Sequence, residues 1–328
     1  MPTAYIIRYW FLIGLAAVLL IGFSLWRQLG WLADLILLRN LVVASVLFLM
    51  AWPLEFSTMW QAIRRPWAAA LAFGVNFGLL PLIAWASLPL LRDDLAVGLM
   101  IAVSAPCTLA SAAVWTRQAG GNDAVALLVT ITTNLSCFLL TPFWLLVTIG
   151  RSDIDLPAGQ MVAKLAVLVV VPIVAAQLSR LYRPVAAWAT RRKRPLSILA
   201  QGGILTIVFV GAIQASEKLA ASESGQIVLA ADLAWMIALV SAIHLAALGA
   251  GLLLARATGL RRPNQIAVAF AGSQKTLMVG LFVATSLGAT ILPMVAYHVC
   301  QLVIDTLVAD RFRAPKTKND TSRTTATS

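Results

Sequence analysis

Apolar residues in this chain come in long unbroken runs, not in the alternation of a half-buried strand or the one-sided stripe of a surface helix. Ten stretches each reach the roughly 20 residues that an α-helix needs to cross a hydrocarbon core: 9–26, 38–60, 66–88, 94–115, 122–149, 160–181, 196–216, 227–255, 264–286 and 289–310. The pattern predicts an all-α polytopic membrane protein with ten transmembrane helices. The first run is longer than the apolar part of a signal peptide, and no small-residue cleavage site precedes Arg27, so it is expected to remain as a span. The final stretch from Ala314 to Ser328 holds no large apolar side chain and is expected to be a disordered cytoplasmic tail.

Composition sharpens this picture. Of 328 residues, 60% are hydrophobic and 12% are charged, whereas soluble domains carry about 25% charged residues. The formal charge is nevertheless +12, from 25 Lys and Arg against 13 acids. Basic excess can signal nucleic acid, anionic lipid or membrane topology. Threading the chain through ten spans decides among these. One side of the membrane collects eighteen bases: Arg8, Arg64, Arg65 and Arg117, the cluster from Arg180 to Arg194, then Arg256, Arg261 and Arg262, and the group from Arg311 to Arg323. The other side holds six (Arg27, Arg39, Arg92, Arg151, Lys164 and Lys218), and Lys275 alone belongs to neither. This bias points both termini into the cytoplasm of a multi-pass protein of the plasma (inner) membrane. It removes the need for a nucleic-acid partner: the charge mostly records topology, with contact to anionic membrane lipid as a side effect.

Two runs carry polar residues at mid-membrane. The fourth contains Ser104-Ala105-Pro106-Cys107-Thr108 and then Ser111; the ninth contains Gly272-Ser273-Gln274-Lys275-Thr276. Pro106 removes a backbone donor and breaks the helix, and Gly272 lies 166 residues further on. Each break falls in the fourth span of a five-span half. Interrupted spans at matching positions of two halves point to a transporter's binding site, and an odd number of spans per half sets the halves in opposite orientation. The expected organisation is a first repeat at 1–155, a second, inverted repeat at 156–313, and the tail at 314–328. Open backbone at that depth must face protein or a watery cavity. A lysine at the centre of a span normally marks an ion or substrate path, and Lys275 has about ten residues of span on each side.

Neighbouring spans add polar groups. Thr130, Thr133 and Asn134 share one helical face by their i, i+3, i+4 spacing, and Asn76 precedes Pro81 in the third span. These can bind an ion or substrate, or can serve as ordinary interhelical hydrogen bonds. His244 and His298 sit in no metal-binding spacing and read as polar packing groups. Glu55 and Asp305 lie nearer span ends and read as interfacial. Cys107, Cys137 and Cys300 fit no zinc or redox motif and read as small apolar residues. With no paired carboxylates at mid-membrane and no nucleophile–base arrangement, an intramembrane enzyme is disfavoured.

Several of these stretches together resemble the bile acid:sodium symporter family, and within it a branch of bile-acid-symporter-like proteins. They are Ala105-Pro106-Cys107-Thr108 through Ala119-Gly120-Gly121-Asn122, then Leu140-Thr141-Pro142, Gly272-Ser273-Gln274-Lys275-Thr276-Leu277 and Tyr297-His298-x-x-Gln301-Leu302. The resemblance implies ten helices in two inverted five-helix repeats. It places crossing, broken helices four and nine in a core domain, a panel domain beside it, and alternating access for a small organic anion.

Its sodium sites carry over only in part. For one ion Ser111 and Thr130 match, but the expected Asn, Ser and Glu fall on Ala112, Ala126 and Phe270. For the second, Asn76 and Gln274 match the family's two glutamines, and the Asn that follows the second is here Lys275. Loss of the Glu and gain of the ammonium would move the site by about two charges toward positive, and a hard cation prefers anionic oxygen. The reading is therefore a secondary transporter in which Lys275 stands where sodium would help close the crossover. No cofactor is implied. The coupling ion would be H+, through Lys275, or absent. The candidate site is Asn76, Thr108, Ser111, Thr130, Asn134, Ser273, Gln274 and Lys275. Two alternatives stay open: a sodium-coupled symporter with a degenerate Na+ site at Asn76, Ser111, Thr130 and Gln274, supplemented by Thr108, and a non-transporting regulator of ion homeostasis.

Overall fold

The computed structural model describes residues 2–32, 34–55, 62–64, 66–149, 158–221 and 230–313, with side chains from residue 10 onward except at 149, 218, 219, 221 and 230. Arg65, Arg151, Lys316, Lys318 and Arg323, the side chains of Arg8 and Lys218, the repeat boundary at 155–156 and the tail 314–328 lie outside the described residues.

All regular structure among the described residues is helical. In chain order the helices are α1 (Pro2–Ser24), α2 (Trp26–Leu29), α3 (Ile36–Ala51), α4 (Trp67–Leu90), α5 (Asp93–Ser104), α6 (Ser111–Gln118), α7 (Asp123–Ile149), α8 (Ala158–Ser179), α9 (Arg183–Arg191), α10 (Lys193–Ala221), α11 (Ala230–Ala257), α12 (Arg262–Ser273), α13 (Leu277–Leu287) and α14 (Leu292–Phe312). Among the described residues seven helical stretches are long and apolar enough to cross a membrane: α4, α7, α8, α10, α11, α12 with α13, and α14. The count is eight if Trp10–Ser24 and Trp26–Leu32, which meet at 86°, form one bent span. This is an integral, multi-pass membrane protein.

Two expected spans are shorter than their apolar runs. α3 stops at Ala51, where Pro53 has no N–H to continue the ladder, so the run 38–60 is helical only in part among the described residues. The run 94–115 is divided into α5 and α6 because Ala105, the residue before Pro106, is extended with φ −67° and ψ 154°.

Lipid exposure and burial separate the helices. Leu20 on α1 and Leu37 on α3 are 70% and 84% exposed, a surface that a bilayer accepts and water does not. By contrast, the most apolar window of α12–α13 is entirely buried. α1, α3, α8 and α10 pack on one another, while α4, α5, α6, α7, α11, α12 and α14 surround the breaks, and α7 and α13 bridge the two groups. Close approach at the centre depends on small side chains. A Cβ on Gly272 would meet Val75 Cγ1 at 2.9 Å, so α12 can lie against α4 only with glycine at that position.

Candidate functional site

The two interrupted helices are built alike. α5 and α12 each run 12 residues, each follows an extended arginine (Arg92, Arg261), and each ends on a serine followed by an extended residue (Ala105, Gln274). The breaks meet face to face: the Thr276 N–H donates to Pro106 O at 2.8 Å. At both breaks neighbouring helices supply partners for much of the backbone that leaves the helical ladder.

α7 serves the first break. Thr141 Oγ1 donates to Ser104 O at 2.7 Å, the Cys107 N–H donates to Thr133 Oγ1 at 3.2 Å, Asn134 Nδ2 donates to Cys107 O at 2.8 Å, and Thr130 Oγ1 donates to Thr108 O at 3.0 Å. The polar face expected at Thr130, Thr133 and Asn134 therefore points inward and holds the broken segment. Among the described residues Asn134 Oδ1 is buried without a hydrogen-bond partner. α14 serves the second break. Gln301 accepts the Lys275 N–H on Oε1 at 2.9 Å and donates from Nε2 to Lys275 O at 2.8 Å. Tyr297 OH donates to Ser273 O at 3.0 Å.

Lys275 fills the space between the breaks and is fully buried. An ammonium has three N–H donors, and three oxygens surround it: Asn76 O at 2.8 Å, Asn76 Oδ1 at 3.0 Å and Ala105 O at 2.8 Å. The Phe77 ring lies 5.0 Å from Nζ and adds a cation–π contact. The availability of Asn76 O follows from local sequence. Residues Val75–Leu79 form a π turn in which the Leu80 N–H bonds to Val75 O. In that register Asn76 O would next pair with residue 81, and Pro81 has no N–H. The freed carbonyl is taken by Lys275. Asn76 Nδ2 in turn bonds to Ala271 O, Gly272 O and Gln274 O at 3.1, 3.3 and 2.9 Å, tying α4 to the second break.

Gln274 joins the break to a second buried cluster. Its Oε1 accepts from Thr108 Oγ1 at 2.7 Å and lies 3.0 Å from Ser111 Oγ, which is also 2.7 Å from Thr108 Oγ1. The Thr108 hydroxyl oxygen also accepts the Ala112 N–H at 3.0 Å, one of the open donors at the start of α6. On its other side Gln274 Nε2 donates to Asp305 Oδ2 at 2.5 Å, and Asp305 Oδ1 lies 2.9 Å from His244 Nε2. The second ring nitrogen of His244 lies 3.3 Å from Ser273 O. Ser273 Oγ bonds within its own helix, to Phe270 O at 3.3 Å.

The structure thus brings Asn76, Thr108, Ser111, Thr130, Asn134, Ser273, Gln274 and Lys275 to one crossover, all buried except half-buried Ser111. It corrects the reading of Asp305, which is fully buried and not interfacial. A carboxylate does stand beside the crossover, contributed by α14 and not by α12, so the site is less positive than the lost Glu alone suggests. Gln301, Tyr297 and His244 also belong to the assembly. The signal for three of them was periodicity: Tyr297, Gln301 and Asp305 recur every four residues and define one face of α14, whereas His244 stands on α11.

Interrupted helices crossing inside a buried, polar centre define a polytopic membrane transport protein. The chain matches the SBF-like CPA transporter family over residues 9–314 and belongs to it. It is 27% identical to the Pseudomonas aeruginosa protein PA2026 over 253 residues, 74% of each chain. It is 30% identical over 227 residues, 66% of this chain and 52% of the relative, to an Arabidopsis thaliana protein named "Probable sodium/metabolite cotransporter BASS4, chloroplastic". It is 29% identical over 134 residues to the Rattus norvegicus "Sodium/bile acid cotransporter 7", 39% of this chain and 38% of the relative. The chain thus spans about half the length of the plant relative and less of the rat one. These matches place it with the bile acid:sodium symporter family.

Proposed function

We propose that the chain is a secondary transporter of a small organic anion in which the Lys275 ammonium is the resident cation of the crossover. The observation that carries this is the coordination of Lys275: its three N–H donors are spent on Asn76 O, Asn76 Oδ1 and Ala105 O. Three oxygens, two from α4 and one from the first break, around one positive charge are what a bound sodium would ask of this place, and the side chain supplies the charge covalently.

The residues do not fit a sodium ion. Oxygens of Asn76 are committed to Lys275, Gln274 Oε1 takes the Thr108 proton, and Thr130 Oγ1 donates to Thr108 O. Sodium coupling named for relatives therefore need not extend to this chain. With its donors filled, Lys275 closes the crossover and does not clamp the anion directly. The starts of α6 and α13, which flank the crossing and carry no acid in the first turn, offer open N–H donors to an anion.

Packing supports ten spans in two inverted five-helix repeats. α10 packs on α1 as α3 packs on α8, α7 packs on α12 as α14 packs on α5, and α4 packs on α7 as α11 packs on α14. Each contact recurs with its partner five spans away. α1, α3, α8 and α10 then act as a panel against which the remaining spans move.

Two measurements test the reading. Counterflow of labelled organic anions in proteoliposomes tests transport; a regulator that moves nothing gives no exchange. Thermal unfolding in sodium against choline chloride tests the resident cation, since an ion bound by the folded state raises its stability. The wild type is expected to melt alike in both salts, and Lys275→Ala to gain sodium-dependent stability. Sodium-driven uptake that persists in Lys275→Ala would overturn the role given to Lys275.

A further inference from the structure

The connection between α8 and α10 carries Arg180, Arg183, Arg191, Arg192, Lys193 and Arg194 with no acid from 180 to 194. α9 lies inside it and is clamped to the end of α3. The Trp188 and Trp52 rings sit 5.1 Å apart at 44°. Arg180 donates to Trp52 O at 2.9 Å and, from its two terminal nitrogens, to Thr190 Oγ1 at 3.4 and 3.3 Å. Ala189 is buried beneath the helix.

Arg180 is used in the clamp; the other five bases are exposed, and among the described residues none has an acid within ion-pair distance. Beside them Leu181, Tyr182 and Trp188 are 79%, 67% and 47% exposed. Open water hydrates the bases but does not suit the apolar and aromatic side chains. An apolar and aromatic edge next to a row of cations, fixed at the end of membrane helices, is the arrangement of a helix lying in the bilayer interface, its rings among the acyl boundary and its bases at the headgroups. The opposing charge that the protein does not supply is then supplied by lipid phosphate.

We propose that α9 and its flanking bases form a binding surface for the headgroups of anionic phospholipid. A purely topological role for the bases needs only their number near span ends. It requires neither a helix clamped by Trp52 nor exposed rings aligned with the cations. The proposal is independent of what the protein carries, and it gives part of the basic excess a ligand.

Native mass spectrometry of the full-length protein, released from detergent with phosphatidylglycerol or phosphatidylcholine, tests it. The wild type is expected to retain phosphatidylglycerol preferentially. Each base near an anionic surface strengthens binding roughly fivefold, so Arg191→Gln/Arg192→Gln/Arg194→Gln is expected to lose about a hundredfold. The same charge removed elsewhere, by Arg256→Gln/Arg261→Gln/Arg313→Gln, is expected to leave retention close to wild type. Equal retention of the two lipids by the wild type overturns the proposal, as do equal losses in the two triple variants. Displacement of phosphatidylglycerol by an equal concentration of inorganic phosphate overturns it too, since a plain anion site is then sufficient. If the α9 variant does not fold, thermal unfolding of the wild type in vesicles of each lipid decides: higher stability in phosphatidylglycerol supports the surface, and identical melting overturns it.

Discussion

Lys275 is held by geometry as much as by charge. Three short hydrogen bonds converge on one nitrogen from Asn76 and Ala105, an arrangement that suits a compact ammonium and not a planar guanidinium. Lys275→Met keeps the volume but leaves three buried oxygens without donors, at about 1–3 kcal/mol each. It is expected to lower the melting temperature in detergent clearly. Lys275→Arg keeps the charge and is expected to destabilise as well, because its donors fan out in a plane; recovery of wild-type melting by Arg would show that charge alone matters. Asp305 gives the complementary case. Asp305→Asn retains an oxygen for Gln274 Nε2, whereas Asp305→Leu takes the carboxylate partner from both Gln274 Nε2 and His244 Nε2. Breaking a buried pair by removing one member costs about 3–5 kcal/mol. Thermal unfolding is expected to rank wild type above Asn and Asn well above Leu, and equal melting of the two variants would contradict the assigned contacts.

At the scale of elements, the two breaks have different causes. The first is written in the sequence: Pro106 forces Ala105 out of the helix, and the runs on either side name the span. The second contains no proline. Gln274 N–H still bonds to Phe270 O, and the chain then extends because Gln301 and Tyr297 of α14 take the polar groups that a helix would have used. Gly272 and the polar run marked its place, but the partners that hold it lie about 25 residues away and are invisible to local pattern. Asp305 was hidden for a similar reason: distance from the span end was readable, and burial against α11 was not. The π turn at Asn76 was equally illegible, although Pro81 that accounts for its free carbonyl was in plain view. A consequence can be measured. Pro106→Ala restores an N–H and lifts the restriction on Ala105, so the chain can add helix at the break and move the carbonyl that accepts the Thr276 N–H. Hydrogen exchange at the Thr276 amide is expected to quicken by at least about tenfold, the factor that corresponds to loss of roughly 1.4 kcal/mol of protection. Unchanged exchange would show that α7 alone, through Thr133 and Asn134, holds the break.

Across the whole molecule, charge and helix ends combine into an orientation. The start of α5 carries the acids Asp93 and Asp94 after a single base, Arg92, whereas Arg117 stands at the end of α6 and Arg256, Arg261 and Arg262 surround the turn between α11 and α12. The Asn122 N–H donates to Pro263 O at 2.9 Å, and Asn122 Nδ2 donates to Asn264 Oδ1 at 2.9 Å, so these two basic turns meet at one end of the bundle. α5 and α6 then carry the chain from the acidic end to the basic one. Because cytoplasmic loops collect Lys and Arg, the basic end is expected to face the cytoplasm and Asp94 the opposite side. Gly120 and Gly259 take positive φ of 77° and 71° in the basic turns, so a label there belongs on a neighbour. Thiol labelling in sealed membrane vesicles, with Cys107, Cys137 and Cys300 replaced, tests the assignment. Gln118→Cys and Thr258→Cys are expected to react from the cytoplasmic side, and Asp94→Cys only from the other. Reaction of Asp94→Cys and Thr258→Cys from the same side would break the threading of α5 and α6. Reversal of both would keep the threading and invert the orientation.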